Sequence, residues 1–148
     1  MKTILTAIDF SEVTPKVGRL TEKLALAFEG CKVCLVHVAP PEPDFVGYDP
    51  GPQTVRDKLA EQFREEHRKI NKMRESMEGK GLDVTALLIQ GATIEKILEE
   101  IDRCKADLVV MGSHGHGALH QLLVGSVSEG VLRQARCPVL LVPSRQED

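Results

Sequence analysis

The sequence predicts an α/β fold, a parallel sheet with helices on both faces. Three observations carry this. Short apolar runs rich in β-branched residues alternate with longer segments at helical spacing, in the order β-α-β-α-β-α-β-α-β. That order implies right-handed crossovers between parallel strands. Val33 to Val38 is apolar throughout except for His37, as befits a strand covered on both faces. The 148 residues, 42% hydrophobic and 28% charged, suit one domain with a substantial core, taken here as residues 1–148. Nothing suggests a second domain, an internal repeat or a low-complexity segment.

The first strand is expected over Lys2 to Ile8, closing at Asp9-Phe10-Ser11. A helix follows to about Glu29, with Val17, Leu20, Leu24, Ala27 and Phe28 on one stripe and Gly30 suited to cap it. After the second strand, residues 39–52 form a loop containing five prolines. Gln53 to Glu78 is a long amphipathic helix with Val55, Leu59, Phe63, Ile70, Met73 and Met77 inward. Its charged residues, among them Arg64, Glu65, Glu66, Arg68 and Lys69, are expected to form a solvated face. Gly79 and Gly81 end it, and Leu82 to Ile89 is the third strand. Ile94, Ile97, Leu98 and Ile101 mark a third helix ending near Cys104, and Asp107 to Met111 the fourth strand. Val127, Val131, Leu132 and Ala135 mark the fourth helix, and Pro138 to Val142 the fifth strand.

A net charge of −3 supplies no basic field for nucleic acid or an anionic membrane. With no Trp and one Tyr, a stacking platform for single-stranded bases is hard to build. No apolar run reaches the roughly 20 residues of a membrane span. Met1 to Leu5 passes directly into a strand pattern, unlike a signal peptide, so a cytoplasmic location is expected. Cys31-Lys32-Val33-Cys34 spells C-x-x-C, yet it opens a strand, where positions three apart point to opposite faces. All four cysteines are therefore read as structural.

Ligands of open α/β sheets gather at the carboxyl ends of strands, and two such ends are unusual. Asp9 and Ser11 place a carboxylate and a hydroxyl just past the first strand. A binding role for Asp9 and ordinary turn chemistry, with Ser11 or Thr14 capping the helix, both fit. Past the fourth strand, Gly112, Ser113, His114, Gly115, His116 and Gly117 lead to Gly125-Ser126-Val127-Ser128 at a helix start. Glycines let backbone approach a ligand, and the free N–H groups of a helix N-terminus attract anions. The same stretch also fits a long connection closed by a Ser126–Glu129 capping box. No Walker-type or dinucleotide glycine motif is present. His114, His116 and His120 lack an obvious carboxylate companion, so no protein-bound metal is expected.

The spacing Gly112-x2-Gly115-x9-Gly125-Ser126 resembles the signature of the ATP-binding branch of the universal stress protein family. Ile4 to Ser11, Leu35 to Val38 and Cys137 to Val142 resemble that family's opening, second and closing strands, so the likeness spans essentially the whole chain. It implies a Rossmann-like sheet of order 3-2-1-4-5, with Asp9 and Gly112 on one crevice. It also implies ATP, with the adenine near Ala7, Ile8, Asp9 and Val38. Met111 and Gly112 would line the nucleoside, and His114, Gly115, Gly125, Ser126, Val127 and Ser128 the ribose and phosphates. Ala7 departs from the family, many of whose members carry proline there, which changes the shape of the adenine pocket. Mg²⁺ accompanying the nucleotide would be held mainly through the phosphates.

ATP is thus expected as the regulatory ligand of a stress-response or signalling protein. No nucleophile with an assigned base, and no arginine near the loop, marks an enzyme, so any hydrolysis is expected to be slow. Two other classes compete. A nucleotidyl or adenylyl transferase would carry an H-x-G-H or S-G-G-x-D-S type signature after the first strand, which Asp9-Phe10-Ser11 does not match. A non-nucleotide interaction module would lack the glycine spacing. A homodimer through residues 138–142 is expected, because an apolar edge strand invites pairing with a second copy and the family pairs this strand antiparallel.

Overall fold

Apolar strand runs bury both faces only inside a helix-covered sheet, and that is the arrangement found. The computed structural model describes residues 1–41, 52–114 and 124–144. Its elements are β1 (Thr3–Ala7), α1 (Thr14–Leu26), β2 (Lys32–Ala39), α2 (Gln53–Glu78), β3 (Asp83–Gln90), α3 (Thr93–Cys104), β4 (Leu108–Gly112), α4 (Ser126–Gln134) and β5 (Val139–Val142). All pairings are parallel and the strand order is β3-β2-β1-β4-β5. The proline-rich loop lies outside the described residues except at its ends.

Alternation along each strand divides the core between two layers. Ile4, Ile8, Val33, Leu35 and Val84 face α1 and α2, where Val17, Ile70 and Met77 meet them. Leu5, Ala7, Cys34, Val36, Val38, Val109 and Met111 face the other side, against Ile97 and Ile101 of α3 and Val131 of α4. Cys31 and Cys34 fall in opposite layers, so the C-x-x-C string makes no common site. Burial pushes the Cys104 thiol up to about 12 and raises Cys34 as well, as expected for inert structural thiols.

One helix end differs from expectation, and another, at Cys104 as expected, closes in an unusual way. α1 stops at Leu26, and Gly30 serves the following turn instead, with φ 71°. α3 is closed by Lys105 in the left-handed region at φ 52°. Its N–H donates to Asp102 O, and the Ala106 N–H donates to Ile101 O, a Schellman closure with lysine where glycine is usual.

Candidate functional site

Because β1 lies between β2 and β4, the chain leaves its C-terminal end toward one edge and later returns on the other side. The Ala7↔Met111 register brings the exits of β1 and β4 side by side. A cleft of about 530 Å³ opens there, within the range of small-molecule sites.

Every described residue of the expected site lines this cleft. Ala7, Ile8, Asp9 and Val38 come from the ends of β1 and β2. Met111, Gly112 and His114 come from the exit of β4, and Gly125, Ser126, Val127 and Ser128 from the start of α4. Gly115 lies outside the described residues, as do His116, Gly117 and His120. Several lining residues were not anticipated. His37, Gln62 and Glu66 build one wall, Val13 and Val17 of α1 another, and Thr93 and Ile97 of α3 a third.

Asp9 is held by its own turn. Its Oδ1 accepts from the Ser11 N–H at 2.9 Å and, more weakly, from Thr14 Oγ1 at 3.4 Å. Phe10 between them takes φ 58°, which turns the chain sharply out of the strand. Neither Ser11 nor Thr14 caps α1. The N-cap is Val13, and Pro15 in the first turn supplies the preset φ instead.

Gly112 is required by contact. A Cβ there would stand 2.6 Å from Val13 Cγ1 and 3.2 Å from the His114 carbonyl oxygen. The neighbouring Ser113 N–H donates to Val142 O, continuing the ladder, while Ser128 Oγ donates to Gly112 O at 2.7 Å and ties α4 to the exit of β4.

The start of α4 corrects one expectation. The N-cap is Gly125, not Ser126, and no side chain caps the helix. With Ser126 already inside the first turn, the capping box does not form, and Glu129 pairs with Arg133 instead. The Gly125 N–H donates to Ser113 O at 2.6 Å, so it is spent within the protein. Glu129 is the first residue whose N–H closes a helical bond, to Gly125 O. The N–H groups of Ser126, Val127 and Ser128 therefore precede the hydrogen-bonded ladder at the positive end of the helix dipole.

The opposite wall carries a polar relay that joins α2 to the strands. His37 Nδ1 lies 2.8 Å from Ile8 O, and His37 Nε2 lies 3.2 Å from Glu66 Oε2. Gln62 Nε2 donates to Glu66 Oε1 at 3.2 Å. The Phe10 ring leans on His37, with centroids 4.6 Å apart, and Lys69 Nζ sits 5.7 Å over that ring. His37 is buried in β2 and borders the cleft. Glu66, expected on a solvated face, is largely covered and bonded to His37 instead.

This architecture matches known proteins over its full length. The universal stress protein family model matches residues 1–143. The chain belongs to the universal stress protein family. A universal stress protein of Thermus aquaticus is 37% identical over 144 residues, covering 95% of this chain and 98% of the relative. The solved structure of MJ0577 from Methanocaldococcus jannaschii superposes with a TM-score of 0.80 at 27% identity, covering 99% of this chain and 98% of that one. A universal stress protein from Archaeoglobus fulgidus, solved in complex with dAMP, shares the fold at a TM-score of 0.66 and 19% identity, covering 95% and 97%. In this universal stress protein no described helix is long and apolar enough to cross a membrane.

Proposed function

We propose that this protein is an adenine-nucleotide-binding stress-response or signalling protein whose ligand is ATP. The observation that carries the reading is a convergence within one cleft. An apolar floor from Ala7, Val38, Ile97 and Met111 lies in the same cavity as the three leading N–H groups of α4. The first suits a planar base, the second a phosphate chain. The fold also accommodates dAMP in the Archaeoglobus protein.

In this reading Ala7, Ile8, Asp9 and Val38 surround the adenine, and Met111 and Gly112 lie against the nucleoside. His114, Gly115 and Gly125 to Ser128 enclose the ribose and phosphates. The Ser126, Val127 and Ser128 N–H groups are the phosphate donors, while Gly125 gives close approach. Mg²⁺ accompanying the nucleotide is held mainly by the phosphates themselves. Among the described residues lining the cleft there is no Arg or Lys to stabilise a transferring phosphoryl group. The nucleotide therefore acts as a regulatory ligand. Two copies pair through β5 in the cytoplasm.

The test is chemical. Nucleotide released from the purified protein by acid should chromatograph as an adenine nucleotide, and added ATP should raise the melting temperature. At about a hundred times the Kd, a ligand specific for the folded state adds about 2.7 kcal/mol. A protein that carries no nucleotide and shows no shift with ATP contradicts the reading.

A further inference from the structure

We propose that His37 and Glu66 form a proton-storing pair on the wall of the cleft, so that the nucleotide is held more tightly when the pair keeps its proton. The ligand half of this rests on the nucleotide reading above; the pair itself rests on hydrogen-bond geometry. A backbone carbonyl can only accept, so the 2.8 Å contact with Ile8 O places a proton on His37 Nδ1. A neutral imidazole protonated there has only a lone pair at Nε2. That lone pair would face Glu66 Oε2 at 3.2 Å, and an ionised carboxylate also only accepts. The contact is favourable only with a second proton between the two atoms. Glu66 Oε1 is already engaged by Gln62, and the His37 and Glu66 side chains are only 8% and 15% exposed, so water is poorly placed to relieve two opposed acceptors.

With its proton the pair is neutral overall, either as imidazolium with carboxylate or as imidazole with carboxylic acid. Without it the wall gains one negative charge, beside a cleft read here as taking an anionic phosphate chain. Nucleotide and proton therefore bind with positive coupling, each favouring the other. The other titratable residues lining the cleft are Asp9 beyond β1 and His114 beyond β4. Lys69 of α2 is the neighbouring ammonium, above Phe10. Among the described residues, α1, α3 and α4 present only uncharged side chains to the cleft, and β3 pairs Leu88 with His37.

Glu66→Gln tests the pair with little change of shape. A glutamine amide can donate to the Nε2 lone pair, so the variant needs no extra proton. Melting of the ligand-free proteins and calorimetric titration with ATP would be followed from about pH 6 to about pH 8.5, across the ordinary range of histidine. A pair whose contact needs a proton that its glutamine variant does not need should lose stability relative to Glu66→Gln as pH rises. The wild type's ATP affinity should drop about fivefold more than the variant's over the same range, the lower end of typical coupling between two ligands of one protein. Titration of the nucleotide's own phosphates is common to both proteins and cancels. Parallel melting and affinity profiles overturn the proposal. A pH difference that disappears with His114→Gln assigns the proton elsewhere and also overturns it. No ATP binding at either pH refutes the nucleotide reading and its linkage, while the melting profiles still decide whether the pair stores a proton.

Discussion

Gly112 shows how one missing methyl group shapes the site. Its would-be Cβ lies 2.6 Å from Val13 Cγ1, a β-branched side chain buried at the start of α1. Gly112→Ala should push α1 away from β4 and cost about 1–3 kcal/mol by overpacking, read as a lower midpoint in urea with unchanged slope. Asp9 makes the complementary case. Its Oδ1 accepts from the Ser11 N–H, yet the residue still borders the cleft. Asp9→Ala should weaken ATP by about 1.5–3 kcal/mol if a ligand donor bonds the carboxylate. Calorimetry would measure this, with helix content checked by circular dichroism. An unchanged Kd would leave Asp9 as a turn residue alone.

Secondary-structure elements meet at the opposite end of the sheet through Asp107. Its carboxylate accepts from the Lys2 and Thr3 N–H groups at 2.7 and 2.9 Å, joining the starts of β1 and β4. These two backbone donors hold its acidity below the ordinary carboxylate value. A depressed carboxylate stabilises the fold above its unfolded value and loses that contribution as pH falls through the folded one. Asp107→Asn should therefore melt below wild type at neutral pH, with the gap closing below about pH 4. A gap independent of pH would assign the effect to shape instead. Element order was legible because each strand is a continuous apolar run and each helix has its own stripe. Element ends were less so. One residue of register at Gly125 and Ser126 decides whether Ser126 caps α4, and a free glycine N-cap cannot be told from a serine cap by composition. Lys105 in a glycine conformation carries no local signal at all. The His37–Glu66 wall was hidden for another reason. Its partners are 29 residues apart on different elements, and Glu66 sits in a charged stretch typical of a solvated helix face.

At the scale of the whole molecule, β5 is an edge strand with Leu140 and Leu141 only partly covered, whereas Val142 is buried within its own subunit. Pairing of two copies along this edge predicts a dimer at micromolar concentration by sedimentation. Leu140→Lys should shift it toward monomer, and a wild-type monomer would contradict the edge pairing. The crevice itself follows from topology, since order 3-2-1-4-5 brings the glycine segment after β4 against the exit of β1. The most direct measurement on the central claim is calorimetric titration of ATP into wild type and Gly125→Val. Gly125 has φ −73° and ψ 162°, an extended conformation that valine accepts, and its N–H is already bonded to Ser113 O. The substitution therefore suits the backbone and sets a branched side chain at the residue directly before the N–H groups of Ser126, Val127 and Ser128. The account predicts saturable wild-type binding and a loss of roughly a hundredfold or more in a folded variant, on the order of two hydrogen bonds to a charged group. A folded Gly125→Val protein that binds ATP with wild-type affinity would contradict the proposed site.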